Sequence, residues 1–231
     1  MKIAGESFLE RTIADLAGHG FQEIVLVLGQ TDYADAAFQS HLSETFSSLD
    51  ITFVLQDQPK GMGDALLATE SYLGESFAIV APYHLQGGTF LTEALSLNEN
   101  HVLLAAQTDS PWEYGILEID NGNAKSIVEK PARGSEPSNL KVQATYLLGK
   151  SFLEILRQEP ADEYNFESAL TKLMQTETVK VLETPEPLPS LKYAWHLLTL
   201  LEKVLKTLPD ANKDAADIAK TAIIDDSPGP V

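Results

Sequence analysis

The feature that most constrains this chain is a regular alternation of short apolar runs with stretches of helical spacing. Glu23-Ile-Val-Leu-Val-Leu28, Ile51-Thr-Phe-Val-Leu55, Phe77-Ala-Ile-Val-Ala81 and His101-Val-Leu-Leu-Ala-Ala106 have strand length, and β-branched residues recur in them. The first ends at Gly29 and reads as a strand buried on both faces. Between the runs lie helical stretches. One carries Phe8, Leu9, Ile13 and Leu16 and is closed by Gly18 and Gly20; the others span 33–42, 64–73 with Asp64 as N-cap, and 90–97. Strand and helix in turn predict an α/β domain: a three-layer αβα sandwich around a Rossmann-like, mixed and mostly parallel sheet.

The pattern changes after residue 110. Residues 114–120 and 124–130 read as two strands joined by Asn121-Gly-Asn123, and Asn-Gly is a strong hairpin signal. A loop at 132–139 leads to a strand at 142–148, then to a helix that Ser151 and Glu154 would open as a capping box. A helix at 165–176 and a short strand at 179–182 follow, and the three prolines in 184–189 make a stiff connection. Residues 190–207 read as a long helix with two apolar faces, one with Leu191, Trp195 and Leu198, the other with Ala194, Leu197, Leu201 and Val204. Such a helix packs twice, or packs once and meets a partner. The expected division is a domain over 1–208 and a tail over 209–231, either disordered or a linker with one hexapeptide-like turn. A solenoid needs about three repeats to stand.

Charge narrows the partners. With Lys+Arg 16 and Asp+Glu 34, the net charge is −18. A field of that sign does not hold nucleic acid, because phosphate neutralisation needs basic side chains. It leaves room for a small anionic substrate, since screening confines the distant field to about 8 Å in physiological salt and a few local cations then decide. The chain has no Cys, so disulfide frameworks and thiolate zinc sites are excluded. Charges inside the first apolar stretch argue against a signal peptide, and no run approaches the ~20 apolar residues of a membrane span. A cytoplasmic location is expected.

Several segments carry candidate chemistry. In Gln56-Asp-Gln-Pro-Lys-Gly-Met-Gly-Asp-Ala65, two glycines before a helix let backbone approach a ligand, although an ordinary strand-to-helix loop has the same letters. Val128-Glu-Lys-Pro131 ends a strand with opposite charges on opposite faces; Lys130 could hold a phosphate and Glu129 could accept from sugar hydroxyls, or both could be a solvated hairpin edge. Gly115, after Tyr114, leaves room for a ring or relieves a turn. The histidines 19, 41, 84, 101 and 196 show no metal spacing; His84 alone follows the C-terminal end of a strand, where open α/β sheets bind ligands. No nucleophile elbow or P-loop occurs.

In this order the segments resemble the sugar-1-phosphate nucleotidyltransferases, the family that includes glucose-1-phosphate thymidylyltransferase. The resemblance rests on Ile3-Ala-Gly-Glu-Ser-Phe-Leu-Glu10 with Gly20–Gly29, on Gln56…Gly61-Met-Gly-Asp-Ala65, on Tyr114-Gly115, on Val128-Glu-Lys-Pro131 and on Lys192-Tyr-Ala-Trp-His-Leu-Leu198. The tail resembles the start of a left-handed β-helix. The resemblance implies a nucleotide-diphospho-sugar transferase fold. It implies a reaction in which a sugar-1-phosphate oxygen attacks the α-phosphorus of a nucleoside triphosphate and pyrophosphate leaves. By the same resemblance Gln56 and Gly61 meet the base, Gly115 and Glu129 the sugar, and Lys130 the sugar phosphate.

The departures from the family pattern bear on activity. The family opens with a central strand and a Gly-rich basic loop, and neither precedes the matched segment, so a sheet without its first strand is expected. The family Lys after the first Gly is Glu6, and the sugar-facing Gly of a later strand is Ala144. The two metal-binding Asp positions fall on Tyr83 and Ser190. Mg²⁺ is held by carboxylates together with substrate phosphates, so it is expected only in an active form. The leading expectation is a catalytically degenerate member. It would bind a nucleotide sugar or sugar phosphate, or act as a regulatory or structural subunit, as a homo-oligomer or with a paralogue. The alternatives are a truncated or mis-started active transferase, and an unrelated doubly wound domain.

Overall fold

The computed structural model describes residues 2–3, 5–162, 164–185, 191 and 193–207. The expected tail at 209–231 and Ser190 lie outside them. In chain order the strands are β1 (Lys2–Ile3), β2 (Glu6–Ser7), β3 (Glu23–Leu28), β4 (Asp50–Leu55), β5 (Ser76–Val80), β6 (Val102–Gln107), β7 (Gly115–Asp120), β8 (Asn123–Glu129), β9 (Leu140–Gly149) and β10 (Lys180–Thr184). The helices are α1 (Phe8–Gly18), α2 (Gln30–Ala34), α3 (Ala36–Thr45), α4 (Met62–Ala68), α5 (Gly87–Ser96), α6 (Ser151–Leu156), α7 (Asn165–Thr176) and α8 (His196–Thr207).

Six strands form one mixed sheet in the order β5-β9-β6-β10-β8-β7. β9 is antiparallel to β5, β6 and β7, β8 is antiparallel to β7 and β10, and β10 is parallel to β6. Hence β5, β6, β7 and β10 run one way and β8 and β9 the other; the sheet is mixed as expected but not mostly parallel, because among its pairings only β6 with β10 is parallel and the interposed β8 and β9 make the rest antiparallel. Even-numbered residues of β9, such as Tyr146 and Leu148, face a core shared with α4, α6 and α7. Leu147 faces a second core with Leu16 of α1 and with Phe90, Leu91 and Ala94 of α5. These are the two outer layers. Phe166 anchors the first core, its ring edge-on to both Tyr146 and Phe152 at 5.2 and 5.1 Å between centroids.

The expected double burial of β3 does not hold. Among the described residues β3 and β4 form a separate parallel pair with no ladder to the large sheet, and most β3 residues are only half-buried. All six residues of β3 line an open cavity, which leaves them partly accessible.

Several helix boundaries also differ from expectation. The helix expected at 33–42 is broken at Asp35, whose carboxylate accepts from the Phe38 N–H and so starts α3 anew. α4 begins at Met62, two residues before the Asp64 proposed as its cap, with Gly61 as the capping residue. The Ser151–Glu154 box does not form; the cap of α6 is Lys150, and Ser151 lies instead beside His101. A complete box occurs at Ser7 and Glu10, opening α1. The hairpin turn forms as read, with Asn121 and Gly122 at φ 50° and 75°. In α8, Leu200 and Val204 are fully buried whereas Trp195 before it and Leu198 and Leu205 within it are exposed, so one apolar face is packed and the other open. Among the described residues no helix is long and apolar enough to cross a membrane.

Candidate functional site

The loop after β4 shows what its glycines do. Gly61 has φ 107°, a conformation that L side chains rarely adopt. The Gln56 amide donates to the Gly61 carbonyl and to an Asp64 carboxylate oxygen, both at 3.1 Å, which ties the end of the strand to the first turn of α4. A Cβ on Gly63 would land on the Asn165 side-chain amide. That close approach packs the α4 start against α7 and buries Asn165, whose Oδ1 has no partner among the described residues. Gln56 and Gly61 are therefore brought together, with Gln56 holding the loop.

Gly115 and Glu129 are register partners on β7 and β8. A Cβ on Gly115 would lie 2.9 Å from Glu129 Oε2 and 3.2 Å from Ile127, so the missing side chain leaves the carboxylate its place. The expected opposite-face arrangement of Glu129 and Lys130 is not found. Lys130 has φ 46°, which breaks the pleat, and its ammonium returns to 3.6 Å from Glu129 Oε1. The turn is held by the Lys130 N–H donating to the Tyr114 carbonyl at 3.0 Å. Gly115, Glu129 and Lys130 thus form one cluster, carrying a carboxylate and a cation within reach of one ligand.

Tyr146 links that cluster to Tyr83. Burial pushes the Tyr146 phenol well above its ordinary pKa, and the nearby charges of Glu167, Tyr83 and Glu129 act in the same direction. Tyr146 is therefore a neutral hydroxyl flanked by acids. Tyr83 is itself half-buried; burial raises its pKa, while a hydrogen bond from the Leu191 backbone opposes the shift. Its ring lies edge-on to His84 at 5.0 Å.

His84 sits in a buried polar row. Its Nδ1 is 2.6 Å from Thr145 Oγ1, and burial, with the charge of Lys141 as a lesser cause, lowers its pKa to about 4. Lys141, Gln143 and Thr145 alternate along β9 and are all buried. Lys141 lies 4.3 Å from the centre of the Tyr114 ring, and burial lowers its pKa. Tyr146, Lys141, Asn165 and Glu167 escape the motif reading. The signal for Lys141 was available: polar residues at 141, 143 and 145 alternate through an otherwise apolar strand.

Among the described residues no three His, Asp or Glu side chains come close enough to share a metal. At the position where a carboxylate is expected, Tyr83 offers a neutral phenol, a poor ligand for Mg²⁺.

Comparison with known proteins adds the family. Residues 1–186 match the family described as nucleotidyl transferase. The UTP–glucose-1-phosphate uridylyltransferase of Haemophilus influenzae is 25% identical over 227 residues, which cover 78% of this chain and 76% of that protein. UTP–glucose-1-phosphate uridylyltransferase 2 of Streptococcus pyogenes serotype M1 is 26% identical over 218 residues, covering 78% and 73%. In fold, the chain is similar to the UDP-glucose pyrophosphorylase of Acinetobacter baumannii, with a TM-score of 0.71 and 21% identity over 87% of this chain and 83% of that one. An apo UDP-glucose pyrophosphorylase gives 0.72 and 19% over 89% of each. With the match running through both cores and the whole Gly115–Lys130 cluster, the chain belongs to the nucleotidyl transferase family.

Proposed function

We propose that this chain binds a nucleotide sugar, or the sugar phosphate from which one is made, without turning it over at the rate of an active transferase. The relatives named above act on UTP and glucose 1-phosphate, so UDP-glucose is the ligand of choice. Gln56 and Gly61 would meet the base, Gly115 and Glu129 the sugar hydroxyls, and Lys130 the phosphate. The observation that carries the reading is Tyr83. Transfer to an α-phosphorus is mainly positioning and charge neutralisation, and a neutral phenol supplies no ligand for the cation that would do it. Loss of one such electrostatic group costs about two to three orders of magnitude in rate. The open apolar face around α8 suits a subunit that works against a second chain, a copy of itself or a paralogue.

Calorimetry with UDP-glucose and pyrophosphate release from UTP and glucose 1-phosphate with Mg²⁺ test this together. Saturable binding that Glu129→Gln and Lys130→Ala weaken, with turnover at least about a hundredfold below the ~10 s⁻¹ of ordinary enzymes, is the expected result. Turnover at ordinary rates overturns the silent reading, and absence of binding overturns the assignment of the site.

A further inference from the structure

One face of β9 carries hydrogen-bond donors that lack acceptors. Lys141, Gln143 and Thr145 alternate along the strand, so their side chains share one face, whereas Val142, Ala144 and Tyr146 belong to the other. The three polar residues are 7%, 4% and 0% exposed, all more than nine-tenths buried. Thr145 is satisfied by His84, which closes the row at one end. Lys141 and Gln143 are not. Among the described residues the Lys141 ammonium meets only the Tyr114 ring, 4.3 Å from its centre, and the Gln143 amide nitrogen has no acceptor. Acids are not scarce in this chain, with Asp+Glu 34 against Lys+Arg 16, and Lys125, Lys130, Lys150, Lys172 and Lys206 each pair with one. A buried ammonium and a buried amide without an oxygen to meet are each costly.

We propose that Lys141 and Gln143 form a binding site for a small monocarboxylic acid, one carboxylate oxygen meeting the Lys141 ammonium and the other the Gln143 amide. The donors set the class. An ammonium and an NH₂ group donate and accept nothing, so the ligand must present lone pairs. Charge narrows it further. A single ammonium balances one negative charge, whereas a phosphate brings more than one into a setting where unpaired charge is expensive. Burial lowers the Lys141 pKa, the sign expected of an ammonium without a counter-charge. The row meets solvent at its Lys141 end. Tyr114 is half-buried there, and Gln107, one position beyond the register partner of Lys141 on β6, is exposed. The site is separate from the proposed sugar cluster, since a Cβ on Gly115 would meet Glu129 and Val142, on the other face of β9. It is also separate from the cavity along β3, which none of Lys141, Gln143, Thr145 and His84 lines.

The test titrates the whole chain with sodium acetate, with sodium chloride holding the ionic strength constant. NMR of ¹⁵N-labelled side chains reads where acetate binds, and thermal denaturation reads its effect on stability. The expected result is a saturable shift of the Lys141 Nζ and Gln143 Nε2 signals with one dissociation constant, and a Tm that rises with acetate, as binding to the folded state requires. Lys141→Met keeps an apolar stem beside Tyr114 and removes the charge; Gln143→Met removes the amide. Each deletes a buried donor without an acceptor, so both are expected to fold, and each is expected to weaken acetate binding at least about tenfold. Inorganic phosphate is expected to bind at least about tenfold more weakly than acetate. Glu129→Gln and Lys130→Ala are expected to leave acetate binding unchanged, which keeps this outcome distinct from that of the UDP-glucose titration. Absence of a saturable shift, the same response to chloride alone, shifts confined to other residues, undiminished binding by Lys141→Met, or tighter binding of phosphate than of acetate overturns the proposal.

Discussion

His84 makes acid stability a sharp test of the buried polar row on β9. Its imidazole is 2% exposed and its pKa is lowered from 6.5 to about 4, by burial first and by Lys141 second. A histidine with a depressed native pKa is neutral when folded and takes up a proton on unfolding. The unfolded state then binds more protons between pH 6.5 and 4, so stability falls as pH falls through that window and levels off below it. From the two pKa values, the loss between pH 7 and pH 5 due to this one group is about 2 kcal/mol. Urea denaturation of the parent and of His84→Gln at both pH values isolates the effect, because the variant cannot charge. The parent is expected to lose about 2 kcal/mol more than the variant. Lys141→Met refines the reasoning. It removes the lesser cause, so most of the acid sensitivity is expected to remain. Equal losses in parent and His84→Gln, or a His84 resonance titrating at its ordinary pKa, would refute the burial argument. Abolition of the effect by Lys141→Met would show that charge, not burial, dominates.

Gly115→Ala places a methyl 2.9 Å from Glu129 Oε2 and 3.2 Å from Ile127, so the carboxylate must move; thermal denaturation is expected to show a loss of about 1–3 kcal/mol, with weaker UDP-glucose binding in calorimetry. Asp15 of α1 accepts the Gly88 N–H at 2.7 Å and so caps α5 from outside it. Asp15→Ala is expected to cost about 1–2 kcal/mol in urea denaturation, and a change within error would show the cap to be idle. Phe166→Ala empties the centre of the larger core, where the side chain is fully buried between Tyr146 and Phe152. About 3–5 kcal/mol is expected, read as a shift of the denaturation midpoint.

The α/β layering was legible because strand length and helical spacing are local properties. Each of the four apolar runs lies in a strand, and the Asn121-Gly122 turn formed as its letters require. The failures have long-range causes. β3 looks like a central strand in sequence, since its composition records the burial it is suited to and not the neighbour it has. Ser7 and Ser151 both begin a Ser-x-x-Glu pattern, yet only the first forms a box, because Ser151 is drawn to His101, distant in sequence. At the site, the Glu-Lys pair was legible as chemistry but not as geometry. Strand alternation sends the two side chains apart, and a single left-handed residue brings them back. A lone lysine inside a strand reads as a surface residue, so Lys141 is legible only through its register with Gln143 and Thr145, not through the ring it meets.

The separation of β3–β4 from the large sheet has a mechanical consequence. Gln56 hangs from the end of β4, whereas Gly115, Glu129 and Lys130 belong to β7 and the segment closing β8. Among the described residues no shared run of backbone hydrogen bonds joins the two groups, and residues of α1 and α4 line the space between β3 and β5. A molecule long enough to reach both would act as a clasp across the two sheets.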